Sequence, residues 1–157
     1  MMWMWLAMML LYLGGNASIF WRLLQALNMA PMGVKVIFIV LFWLATISLF
    51  LSFALRGTSL PHPIPRVLFN IGSIWLVFTL YMVLTLALFD IMHHFRPSLQ
   101  GGVWYSLMIT SALMLYGYIN YRMPREEHIT IDVDKPIEGG EYRMAVISDV
   151  HLGYGTT

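Results

Sequence analysis

Residues 67–89 read VLFNIGSIWLVFTLYMVLTLALF, with no charged side chain from end to end. A bilayer's hydrocarbon core of ~30 Å takes about 20 apolar residues as a helix. This stretch meets that length, and Asp90 closes it. It predicts a membrane-spanning helix, so the chain is not an ordinary water-soluble globule. Two neighbouring runs carry the same signal. Residues 34–55 contain only Lys35 as a charge, near the start, and residues 103–119 form a shorter run closed by Asn120, Tyr121 and Arg122. Pro31, the Pro61-His62-Pro63-Ile64-Pro65 string and Pro97 fall between the runs, where helix breakers belong.

The amino-terminal stretch needs a separate argument. Residues 2–13 are apolar but too short to span. Continued through Gly14, Gly15 and Asn16 to Trp21, they give an uncharged segment that is long enough. A signal peptide would want a positive start, and no Lys or Arg precedes Arg22. The expectation is a first span over residues 2–21, running into a more polar stretch near the interface. Trp3, Trp5, Trp21, Trp104 and Tyr105 sit at run ends, where aromatic rings favour the headgroup level. The fold class expected for residues 1–121 is mostly α, with three or four transmembrane helices at about 2–21, 34–55, 67–89 and 103–119.

Composition agrees with this and excludes other classes. Of 157 residues, 59% are hydrophobic and 11% charged, against roughly 25% charged in soluble domains. The absence of cysteine removes disulfides and thiolate metal sites. A net charge of +1 offers no basic surface for nucleic acid. The charges are also unevenly placed. Up to residue 121, Arg22, Lys35, Arg56, Arg66 and Arg96 face only Asp90, leaving +4. In the last 36 residues Arg122, Arg125, Lys135 and Arg143 face seven acids, leaving −3. The expected organisation is a membrane region, 1–121, followed by a water-like tail, 122–157. Folding alone below about 40 residues usually needs disulfides or a metal, so the tail is read as the start of a larger domain.

Four spans place the N-terminus, the 56–66 loop and the tail on one side. Arg56, Arg66, Arg122 and Arg125 lie there, against Arg22, Lys35 and Arg96 opposite. The positive-inside rule then leans to a cytoplasmic tail. Asp90 is the one acid near the membrane. An intramembrane acid is by default a functional-site hypothesis. Its place at the end of a full-length span favours a plainer reading, an interfacial helix end with His93 and His94 in a wet loop. Adjacent histidines do not share a helix face, so a metal site on that pair is disfavoured. Asn70, Ser73 and Thr79 are expected to make interhelical hydrogen bonds, and the methionines of the N-terminus to face lipid or pack.

The pattern changes after Pro124. Residues 128–133 alternate polar and apolar, with Ile129, Ile131 and Val133 on one face, the period of a half-buried strand. Asp134 to Gly140 is turn chemistry. Residues 142–148 read as a second strand, apolar on consecutive positions at its end, as in a strand covered on both faces. That strand leads into Ser148-Asp149-Val150-His151-Leu152-Gly153. Side chains alternate along a strand, so Asp149 and His151 point the same way. A carboxylate and an imidazole so placed can grip one divalent ion, and the mix suits Mn, Fe or Zn better than Ca. Asp149 as an ordinary Asx turn and His151 as a loop residue is the plainer alternative.

The segment from Arg143 to Gly153 resembles the first motif of calcineurin-like metallophosphoesterases. The helical start, with Asn16 and Arg22-Leu23-Leu24-Gln25-Ala26-Leu27, resembles the bacterial branch that carries N-terminal membrane helices. The resemblance implies a four-layer α/β/β/α sandwich with two metal ions at its strand ends, Asp149 and His151 being ligands of one of them. It implies a phosphorylated substrate, a lipid-linked one being compatible with the membrane anchor, and a bacterial inner or plasma membrane location. The family's later motifs, Gly-Asp-x-x-Asp and Gly-Asn-His-Asp/Glu, are absent: no Gly-Asp occurs, and Gly15-Asn16 is followed by Ala17. The chain is therefore expected to be the N-terminal part of such an enzyme, inactive alone. The rival expectation is a small helical membrane protein serving as a non-catalytic interaction or assembly factor.

Overall fold

Four helices follow one another in a computed structural model that describes residues 2–55, 63–123 and Ile129. They are α1 (Met2–Ala26), α2 (Met32–Ala54), α3 (Pro63–Phe95) and α4 (Gly102–Arg122). All four are long and apolar enough to cross a bilayer, and they point to an integral membrane protein. Each expected span lies inside one helix, except that Leu55, the last residue of the second, caps α2 from outside. No strand occurs among the described residues. The expected strands, 128–133 and 142–148, lie outside them apart from Ile129, which is exposed and belongs to no element.

The helices outrun the hydropathy signal at several ends, for backbone reasons. Pro63 and Pro65 form the first turn of α3 rather than a loop before it. The first-turn N–H groups of a helix have no intrahelical partner, so proline is tolerated there. At the other end α3 continues past Asp90 to Phe95, which puts His93 and His94 in its last turn, not in a wet loop. No breaker intervenes until Pro97, and the residue before a proline is steered away from helix, so the stop falls at Phe95. Likewise α1 carries the polar residues after Trp21 as helix to Ala26, with no break at the charge.

The chain runs up and down. Phe20 stacks on Phe38 at 5.8 Å while Tyr12 meets Phe50 edge-on at 5.7 Å, so α1 and α2 are antiparallel. Gly72 lies against Leu49 and Ser52 Oγ donates to the Pro65 carbonyl at 3.0 Å, which makes α2 and α3 antiparallel. Thr85 meets Thr110 and Phe89 stacks on Tyr105, so α4 returns along α3. The α1–α2 and α3–α4 turns thus share one end of the bundle. The first is closed by Lys35 Nζ donating to the Asn28 carbonyl at 2.7 Å. The second ends on Gly101, whose φ of 78° is left-handed and suits a residue without Cβ.

Packing is inverted relative to a soluble domain. Among the described residues, five hydrophobic side chains are buried (Ile19, Leu23, Phe42, Met82 and Leu86) against eight polar ones. The polar set is Asn16, Thr46, Ser48, Ser52, Thr79, Thr85, Ser106 and Thr110. Large apolar side chains dominate the outside instead, Trp3, Leu11, Leu80 and Leu115 among them. Lipid tails are as apolar as leucine, so hydrophobicity does not drive these helices together. Close packing of small residues and interhelical hydrogen bonds do. Gly72 is the clearest small contact: a Cβ there would fall 2.6 Å from Leu49 Cα.

Candidate functional site

Asp149 and His151, the expected metal pair, lie outside the described residues. Among the described residues no group of three or more His, Asp or Glu is placed to hold a metal. Three polar arrangements join helices in the bundle, two of them buried and one at its turn end.

Asn16 is the centre of the first buried one, with no exposed surface. Its Oδ1 accepts from Trp75 Nε1 at 2.9 Å, Thr46 Oγ1 at 3.2 Å and Thr79 Oγ1 at 3.3 Å. Its Nδ2 donates to the Tyr12 carbonyl at 2.9 Å, one turn back. Reversing the amide would aim its NH2 at the Trp75 N–H and its oxygen at the Tyr12 carbonyl, so those two partners fix this orientation. Tyr12 adds a hydroxyl donated to the Thr46 carbonyl at 2.9 Å. One amide therefore ties α1 to α2 and α3 in a medium that offers no water to replace it. All groups in it are neutral, and no nucleophile stands beside a base, so it fixes structure and performs no acid–base chemistry. Thr79 meets the expectation of an interhelical bond; among the described residues Asn70 is exposed and Ser73 makes no such bond.

A second contact layer joins α3 and α4. Thr85 and Thr110 hydroxyls meet at 3.2 Å, and Thr110 Oγ1 donates to Met82 Sδ at 3.8 Å. Thr85 also returns a bond to the Tyr81 carbonyl.

The charged arrangement lies at the end that carries both turns. Arg22 of α1 grips Asp90 of α3 with two bonds, Nη1 to Oδ1 at 2.7 Å and Nη2 to Oδ2 at 2.6 Å. It is a fork-to-fork pair, the strongest geometry that these side chains can adopt. The side chains keep 35% and 54% of their surface exposed. His93, one turn on from Asp90, donates from Nδ1 to the Leu99 carbonyl at 2.8 Å, which holds the α3–α4 turn against the helix. Between these elements is a partly open cleft of about 300 Å³. Arg22, Asp90, His93 and Gln100 make its polar rim, and Leu86, Phe89, Leu99 and Val103 its apolar wall. Asp90 at a span end was visible in the sequence, but its partner was not.

No family model matches the chain, and no curated protein or solved structure shows significant similarity to it.

Proposed function

We propose that residues 1–121 are the membrane anchor of a metal-dependent phosphoesterase whose catalytic domain opens in residues 122–157. One observation carries the proposal: the string Ser148-Asp149-Val150-His151-Leu152-Gly153, which ends an apolar strand-like segment and follows four apolar helices. In this reading Asp149 supplies a carboxylate oxygen and His151 an imidazole nitrogen to the same side of one divalent ion, Mn, Fe or Zn. The donor set fits one edge of a two-metal centre and not the whole, since two protein ligands cannot by themselves close a site. A pair of such metals, when bound, activates water and neutralises phosphate charge. The residues that complete the centre would follow in a longer chain. The anchoring half of the reading is supported by four helices of membrane-spanning length ending at Arg122. A phosphate ester or pyrophosphate at the membrane surface, lipid-linked in one version, is the substrate class that this placement favours, in a bacterial inner membrane with the tail cytoplasmic.

The test is hydrolysis of bis(p-nitrophenyl) phosphate with Mn²⁺ by membranes carrying the product of the gene's full reading frame. Turnover that falls to background in the Asp149→Ala, His151→Ala double variant is expected. Turnover that survives both substitutions overturns the ligand assignment. A reading frame without Gly-Asp and Gly-Asn-His motifs beyond codon 157 would favour a non-catalytic assembly role instead.

A further inference from the structure

We propose that the cleft between Arg22, Asp90 and the α3–α4 turn binds one zwitterionic phospholipid through a headgroup that carries a phosphate and a primary ammonium. The inference is independent of the tail's chemistry.

Position comes first. Asp90 directly follows the uncharged stretch 67–89, so the cleft lies where the hydrocarbon core gives way to headgroups. Shape comes second. A cleft of about 300 Å³ with an apolar wall and a polar rim suits a molecule with an apolar body and a polar head, and phospholipid is the solvent at this level.

Charge decides the class of head. Arg22 and Asp90 cancel formally, so the rim does not select a purely anionic group. The bidentate pair uses two of the five guanidinium N–H donors and two of the roughly four carboxylate lone-pair sites. Each partner is left with capacity, and each is partly exposed. The remaining Arg22 donors can take phosphate oxygens, and the remaining Asp90 lone pairs can take an ammonium, with the pair itself intact. Asp90 offers acceptors, which an ammonium with N–H groups satisfies and a quaternary ammonium does not. A quaternary head would want an aromatic cage, and Phe89 is the one Phe, Tyr or Trp in the lining. Phosphatidylethanolamine chemistry therefore fits better than phosphatidylglycerol or phosphatidylcholine.

The experiment titrates the 157-residue chain, purified in detergent, with each of these three lipids and counts retained lipid by native mass spectrometry. One phosphatidylethanolamine per chain is expected, held about tenfold more tightly than either other lipid, a factor of ten being the scale of one well-placed polar contact. Free phosphoethanolamine should not displace it at equal concentration. Arg22→Gln with Asp90→Asn, which keeps an amide pair and removes both charges, should cost about tenfold. Val103→Trp, which fills the cleft and leaves the ion pair alone, should do the same, and it decides the matter if the first variant fails to fold. Equal retention of phosphatidylglycerol, or unchanged binding in Val103→Trp, would overturn the proposal. Displacement by free phosphoethanolamine would overturn the lipid as the occupant.

Discussion

Replacing Asn16 by alanine tests the claim that one amide locks α1 to its neighbours. The substitution removes three interhelical acceptor contacts, from Trp75, Thr46 and Thr79. Interhelical hydrogen bonds inside membranes are worth about 0.6 kcal/mol each on average. Whether the cost stays near that scale depends on what happens to the three donors, since a buried orphan adds about 1–3 kcal/mol. None is orphaned. Thr46 Oγ1 keeps the Phe42 carbonyl at 2.9 Å, Thr79 Oγ1 keeps the Trp75 carbonyl at 2.8 Å, and Trp75 Nε1 keeps Thr46 Oγ1 at 3.1 Å. The expected destabilisation is therefore about 2–3 kcal/mol, the upper part coming from the void left by a fully buried side chain. Steric trapping of the chain in bicelles measures it. Thr79→Val is the control: alone it should cost about 0.6 kcal/mol, and on the Asn16→Ala background almost nothing, because its interhelical bond ends on Asn16. Additive costs, or an Asn16→Ala cost under about 1 kcal/mol, would refute the amide as the hub.

Four further outcomes follow, three from the bundle and one from the tail. Gly72→Ala should cost about 1–3 kcal/mol by the same assay, because the new methyl meets the Leu49 backbone and only a shift of α2 relative to α3 relieves it. Gly14→Ala, with nothing within 4 Å, should be neutral or stabilising by up to about 1 kcal/mol, so a loss there would contradict the helix's local environment. Asp90→Asn should cost no more than about 1 kcal/mol, the pair being partly exposed, and exchanging the partners (Arg22→Asp with Asp90→Arg) should recover it; a swap that recovers nothing would deny the pair a role in docking α1. Isothermal titration with Mn²⁺ should find at most one weakly held ion per 157-residue chain, lost in Asp149→Ala with His151→Ala, whereas two tightly held ions would contradict a two-ligand donor set.

The parts of the fold that composition controls were legible in the chain, and those that depend on pairing were not. An uncharged run of bilayer length has few alternatives, because every backbone group in lipid must be satisfied within the segment. The four spans could thus be placed from residues 34–55, 67–89, 103–119 and the extended first stretch. Their ends were misplaced wherever hydropathy and backbone geometry part. Asp90, His93 and His94 are polar, yet nothing in them stops a helix, and Pro63 and Pro65 look like breakers but sit where the helix has no bond to lose. Hydropathy marks where lipid is, and the helix stops only where the backbone must.

Pairing is harder because the decisive partners are far apart in sequence. Asn16 and Thr79 are 63 residues apart, Arg22 and Asp90 68. A single chain gives no register between α1 and α3, and a polar residue in a span does not name its acceptor. A signal was still present: Asn16 and Arg22, six positions apart on α1, are an interior amide and that helix's one charge, and Thr79 and Asp90, eleven apart on α3, are an interior hydroxyl and the charge nearer its C-terminal end, Arg66 lying at the other. A polar residue in lipid must find a partner, and a charge at a span's end finds one most readily at the same depth. Parallel α1 and α3 satisfy both requirements only if amide meets hydroxyl and cation meets anion together. The offset is 63 at one level and 68 at the other, and that difference of five residues, about one and a half helical turns, is taken up by the reach of the arginine side chain. Arginine's length thus makes a single register serve a dry lock in the interior and a wet ion pair at the headgroups. Lysine in place of Arg22 would keep the charge and lose the fork, and with three N–H donors in place of five it would leave fewer open for the phosphate that the lipid proposal places there.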